Sequence, residues 1–182
     1  VPVVSSRPHF ALSDELAAAQ VRTVVRLVRS LDAERPDQPD TATRHELAMC
    51  TATSVLTLHQ LGRSQFSYWL WYLVNELNNH DMTKLEALAL VLPAWTRLVL
   101  DGRLPGRGSL VSLEARCADL GGGGAVLRDL LLPRDHASAT TRLDLDVDGL
   151  TAATWAEWGD GLREVDISPE QVRATFAAVV AR

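Results

Sequence analysis

The amino-acid sequence predicts a mainly α-helical protein, a bundle of about four to five helices with a small C-terminal α+β element. Three observations lead to this prediction. Apolar residues recur at helical spacing through most of the first 120 residues, and residues typical of helix starts precede these segments. Farther along, two short segments alternate apolar with charged residues, as half-buried strands do. If these two segments are loops, the protein is all-α.

A run of four glycines predicts where the chain divides. A helix has little reason to cross residues 121–124, because each glycine costs about 1 kcal/mol relative to alanine. We therefore expect a helical bundle over residues 1–120 and a smaller C-terminal element over residues 125–182, which packs on the bundle as one unit.

The first two helices are marked by their starts. Ser13 is a capping residue followed by two acids, and apolar residues then recur on one helical face. The acidic, proline-containing segment 32–40 is predicted as a loop. Residues 43–46 have the spacing of a capping box, which predicts a second helix that ends near Gly62.

Three more helices are predicted before the glycines. The third covers residues 64–81, and the fourth begins at a capping box at residues 83–86. Pro93 lies within the fourth helix and should kink or split it. A shorter fifth helix begins at Ser109 or Ser112.

The C-terminal third supplies the two candidate strands. Apolar and charged residues alternate over 142–147 and again over 164–167. A helix that carries Trp155 and Trp158 lies between them. Ser168, followed by proline and then glutamine in the capping-box position, predicts the start of the last helix.

Composition limits the classes of function. The 182 residues carry a net charge of −5, which gives no general attraction to nucleic acid, and no apolar run is long enough to span a bilayer. One lysine against seventeen arginines, with one isoleucine and three asparagines, is typical of GC-rich coding. We therefore expect a bacterial, actinobacterial-type protein. Two isolated cysteines and an N-terminal segment unlike a signal peptide favour the cytoplasm.

The third predicted helix is the candidate functional segment. All three asparagines, both tyrosines and the only lysine fall between positions 68 and 84. Over residues 66–80 the helix is aromatic on every side, which indicates that it is central in the bundle or covered by a partner. Its polar groups then either satisfy one another or contact a protein partner or ligand. The candidate binding residues are Tyr68, Trp71, Tyr72, Asn75, Asn78 and Asn79.

The first hypothesis is therefore a non-catalytic interaction or regulatory domain, acting on a protein partner or by homo-oligomerisation. A second hypothesis is a transcription regulator, because residues 53–73 resemble the turn of a helix-turn-helix. Arg63 replaces the usual apolar turn residue, and no Lys or Arg follows the start of the second helix, so nucleic-acid binding is the weaker hypothesis.

A third hypothesis is a small-molecule binder or enzyme with Glu76, His80 and Asp81 in a pocket. No nucleophile arrangement accompanies these residues, and we expect no catalytic residue, cofactor or metal. Residues 144–149 contain three aspartates at alternate positions followed by a glycine, which matches the first half of a calcium loop. Trp155, however, stands where the bidentate glutamate of such a loop belongs.

Overall fold

The computed structural model describes residues 11–34, 40–55, 69–121 and 145–180, and these residues are almost entirely helical. Seven α-helices and one 3-10 helix lie in these ranges. In chain order they are α1 (Ala11–Glu34), α2 (Thr41–Val55), α3 (Trp69–Asn78), α4 (Lys84–Leu100), α5 (Arg107–Arg116), the 3-10 helix (Ala118–Leu120), α6 (Val147–Glu164) and α7 (Pro169–Val180).

Four helices form a closed ring. Helix α3 packs on α4, α4 on α7, α7 on α6, and α6 returns to α3. Each contributes large, fully buried side chains to the centre, among them Leu73, Trp95, Leu162 and Phe176. Burial of one such side chain contributes about 1.5–3 kcal/mol, so this shared apolar centre is the main source of stability for α3.

Helix α1 forms a second layer with α2, α5 and the 3-10 helix. Its buried Ala18 and Val25 join the same core as the ring, together with Cys117 at the end of α5. Polar contacts also hold α1 in place. Arg22 and Arg26 each contact a carboxylate oxygen of Asp119, at 3.2 and 3.0 Å.

The predicted C-terminal strands are not present in the described residues. Leu145 and Asp146 precede a helix, and the Asp146 carboxylate accepts a hydrogen bond from Gly149 N at 3.0 Å. Asp146 is therefore the N-cap of α6, and the apparent alternation over 145–147 is a helix start. Residues 142–144 lie outside the described residues.

The second predicted strand, 164–167, is the end of α6 and the turn after it. Asp166 takes a left-handed φ of 57°, and Ile167 N donates to the carbonyl oxygen of Leu162 at 3.0 Å. This is the backbone pattern of a Schellman ending, in which an apolar residue after the helix packs back onto it. Ile167 is accordingly buried, which produced the strand-like alternation in the sequence.

Several predicted helix starts can be compared with the structure. The capping box of α4 is confirmed, because Thr83 and Glu86 exchange side-chain-to-backbone hydrogen bonds. Helix α2 begins three residues earlier than predicted, since Asp40, and not Thr43, is its cap and accepts the hydrogen bond from Thr43 N at 2.8 Å. Pro93 is buried within α4, which continues through it from Lys84 to Leu100 and is not split. In the described part of the chain, no helix has the length and apolar character needed to cross a membrane.

Candidate functional site: the outward face of helix α3

Helix α3 has a buried side and an outward side. At about 100° per residue, the buried residues span about 160°, somewhat less than half of its circumference. They are Trp69, Leu70, Leu73, Val74, Glu76 and Leu77. The remaining side chains are half-buried, apart from the exposed Asn79, and we call them the outward face of α3: Trp71, Tyr72, Asn75, Asn78 and Asn79. Five of the six candidate binding residues thus lie together on one face, and Tyr68 lies outside the described residues.

Tyr72 lies at the edge of the outward face that meets α6. Its ring stacks on the ring of Trp158, with centroids 4.7 Å apart and planes inclined by 5°. An added Cβ at Gly161 would lie 2.9 Å from the Tyr72 hydroxyl oxygen, so the missing side chain makes room for the tyrosine. Such aromatic stacking contributes about 0.5–1.5 kcal/mol beyond burial alone, and it fixes the orientation of Tyr72.

The asparagines differ in how their amides are used. Asn78 Nδ2 donates to the carbonyl oxygen of Met82 at 2.5 Å, which ties the end of α3 to the following turn. The side-chain amides of Asn75 and Asn79 have no hydrogen-bond partner among the described residues. Each of these two amides therefore presents both a donor and an acceptor group from the outward face.

The outward face carries no formal charge. Glu76 is the only acidic or basic residue from position 69 to position 79, and its side chain is buried, with 4% exposure. Charged residues are 23% of the chain, so about one charge would be expected among the five residues of the outward face, and none is present. The cores of protein–protein interfaces are likewise depleted of charge and enriched in Trp and Tyr.

The residues of the alternative pocket are only partly brought together. Glu76 Oε1 lies 3.4 Å from Nε2 of His80, one helical turn on, and the histidine ring is about half exposed. Asp81 is exposed and occupies a left-handed position in the turn, at φ 62°. This contact joins the buried carboxylate to the end of the helix, and Asp81 is not a third member of it.

The other sequence hypotheses fall largely on parts of the chain that the structure does not cover. Residues 56–68, which include the helix-turn-helix turn, lie outside the described residues, and so does Asp144 of the half calcium loop. Asp146, from the same half loop, caps α6. Among the described residues, no group of three or more His, Cys, Asp and Glu side chains is placed to hold a metal ion.

Sequence reasoning did not identify the residues that shape one edge of the site. Trp158 and Gly161 are far from Tyr72 in the sequence, and their contact depends on how α3 packs on α6. The available signal was a pair of glycines, Gly159 and Gly161, inside an otherwise helical segment. Glycine at such positions indicates close approach of a neighbouring group.

Comparison of the chain with protein-family models, with curated proteins and with solved structures gave no match. The candidate function therefore depends on the geometry of the outward face.

Proposed function

We propose that this protein is a non-catalytic interaction domain that binds a protein partner through the outward face of α3, in the cytoplasm of a GC-rich bacterium. The observation that supports it best is the placement of Trp71, Asn75 and Asn78 at helical spacings of four and three on the accessible side of α3. An indole with amides beside it offers both apolar area and hydrogen bonds to a partner, at a low entropic cost.

The stacking of Tyr72 supports the same proposal. A binding face is effective when its side chains are already held in the bound orientation, because less conformational entropy is then lost on association. Trp158 holds the Tyr72 ring at one edge of the face, and the Asn78–Met82 hydrogen bond holds the amide near the other edge. Asn75 and Asn79 provide, beside these fixed positions, amide groups that form no hydrogen bond with another described side chain.

The experiment is site-specific photocrosslinking in the native host. A benzophenone amino acid replaces Asn75 in one variant and the exposed Ala153 of α6 in the matched control. We expect discrete crosslinked protein adducts from position 75 and none of the same mass from position 153. The absence of a protein adduct at position 75, in a variant that retains wild-type helical circular dichroism, would overturn the proposal.

A further inference from the structure

The outward face of α3 has an internal symmetry centred on Asn75. The aromatic residues Trp71 and Tyr72 precede Asn75 by four and three positions, while Asn78 and Asn79 follow it by three and four. Viewed down the helix at about 100° per residue, Tyr72 and Asn79 lie on one flank of Asn75, about 60° and 40° away. Trp71 and Asn78 lie on the other flank of Asn75, about 40° and 60° away.

From this arrangement we propose that the partner of the outward face is a second copy of this chain. The two α3 helices would lie antiparallel about a two-fold axis that passes through the pair of Asn75 residues. This inference rests on the proposed function and adds the identity of the partner. A two-fold contact is isologous, so the same patch must complement itself.

The pairing follows from the symmetry. In an antiparallel two-fold pair, each flank of one helix meets the same flank of the other, with the chain direction reversed. Tyr72 then lies opposite Asn79 of the second copy, and Trp71 lies opposite Asn78 of the second copy. Every aromatic residue of the face therefore meets an asparagine, within about one residue of helical rise, 1.5 Å.

The hydrogen-bonding groups match this pairing. An amide has both donor and acceptor groups, so two Asn75 side chains can form two N–H···O hydrogen bonds across the axis. Asn78 uses its Nδ2 to bind Met82, which leaves Oδ1 to accept a hydrogen bond from the Trp71 indole N–H of the second copy. The Asn79 amide meets the accessible part of the half-buried Tyr72 ring, whose hydroxyl end lies beside Gly161 of its own chain.

Electrostatics favour a second copy over a charged partner. Identical surfaces that carry charge repel each other across a two-fold axis, and this molecule has a net charge of −5. The outward face has no formal charge, so no like charges of α3 itself meet across the axis. A ten-residue helix covers less than the roughly 800 Å² per partner of a typical stable complex, so we expect a dimer with a Kd of about 10–100 µM.

The first test is the mass of the purified chain by light scattering and sedimentation, from about 5 to 500 µM, the range set by that Kd. Wild type should pass from monomer to dimer over this range. Asn75→Asp or Asn75→Lys alone should raise the Kd at least about tenfold, because like charges meet at the axis. An equimolar mixture of the two variants should form the dimer again. Ala153→Asp, a charge on an exposed site of α6, is the control that should dimerise as wild type does.

A disulfide test fixes the position of the axis and needs no charged variant to fold. In a Cys50→Ser background, Asn75→Cys should crosslink two chains on mild oxidation. Asn79→Cys should not crosslink the two chains. Position 79 lies four residues from the two-fold axis in each copy, so the two thiols are separated by about 12 Å along the helix direction. Equal crosslinking at both positions, or none at position 75, would overturn the proposed axis.

The outcomes separate this inference from the proposed function. A wild-type chain that remains monomeric throughout the range overturns self-association. If photocrosslinking at position 75 then captures a different protein in the host, the interaction function remains and only the identity of the partner is wrong. A dimer that persists unchanged in Asn75→Asp also overturns the inference, because the contact must then lie elsewhere.

Discussion

Gly161 occupies a position in the last turn of α6 where most helices would have a larger residue. Glycine there costs about 1 kcal/mol relative to alanine. The space that a Cβ would need is already filled by the hydroxyl end of Tyr72, 2.9 Å away. The nearby Gly159 is different, since its added Cβ would meet its neighbours at 3.5 Å, an ordinary contact distance.

The two glycines therefore predict opposite results from the same substitution. Gly159→Ala should raise the free energy of unfolding by about 0.5–1 kcal/mol, the gain in helix propensity. Gly161→Ala should lower it by about 0.5–1.5 kcal/mol, because Tyr72 must leave its stack on Trp158. Urea unfolding followed by circular dichroism measures both values, and near-ultraviolet circular dichroism reports the stack.

A double variant isolates the cause. In a Tyr72→Ala background the obstacle is gone, so Gly161→Ala should become stabilising, as Gly159→Ala is. If Gly161→Ala remains destabilising without the tyrosine, the contact with Tyr72 is not the reason for the glycine.

At the scale of the helix, local signals in the sequence correctly identified the starts at Thr83 and Ser168. They placed the starts of α2 and α5 at least three residues too late, and they did not indicate which helices are tertiary neighbours. The capping box at Thr83 is a short-range pattern, and the structure contains it as predicted. The strand predicted over 142–147 was wrong in its described part because Asp146 caps a helix, and six alternating residues do not distinguish these outcomes. The contact of Tyr72 with Trp158 joins distant segments, so no local pattern reveals it.

Helix α1 also contacts its neighbours through polar groups, because its arginine side chains bind a carboxylate and a backbone carbonyl oxygen. Asp119 is shared by Arg22 and Arg26, and Arg29 donates to the carbonyl oxygen of Leu120 at 2.6 Å. The arginines thus stabilise the C-terminal end of the 3-10 helix, where carbonyl groups lack helical partners.

Loss of the Asp119 carboxylate should therefore have a salt-dependent effect. We expect Asp119→Asn to lower the free energy of unfolding by about 0.5–1 kcal/mol at low ionic strength, since both ion pairs are partly exposed. The difference from wild type should shrink in 1 M salt because screening weakens the pairs. Asp160→Asn, which removes an exposed ion pair with Arg163 within α6, is the control and should change stability by less than about 0.3 kcal/mol. An unchanged difference in high salt would contradict an electrostatic origin.

For the whole molecule, the continuous core implies that the ring and the α1 layer unfold together. Cys117 is fully buried at the junction, with its Sγ 3.9 Å from the carbonyl oxygen of Ala18. Burial raises the pKa of the Cys117 thiol, so both access and ionisation limit its reaction with thiol reagents in the folded state. Its labelling rate is thus a measure of opening at the junction.

A substitution on the far side of the ring should then accelerate labelling at this junction. Leu162→Ala creates a cavity in α6 and should cost about 3 kcal/mol, which corresponds to roughly 100-fold faster labelling of Cys117. The measurement uses a Cys50→Ser background with a chromogenic disulfide reagent. A labelling rate that does not respond to Leu162→Ala would show that α1 and α5 open locally while the ring stays folded.

The order of the helices in the ring has a kinetic consequence. The ring consists of two hairpins, α3 with α4 and α6 with α7, each joined by a short turn and separated from the other by a long stretch of chain. Contacts within a hairpin are local and can form early, whereas docking one hairpin on the other must first overcome the entropy of closing a long loop. Formation of the Tyr72–Trp158 stack belongs to that docking step. The outward face of α3 would therefore be completed last, and an incompletely folded chain would lack the ordered surface of the proposed dimer.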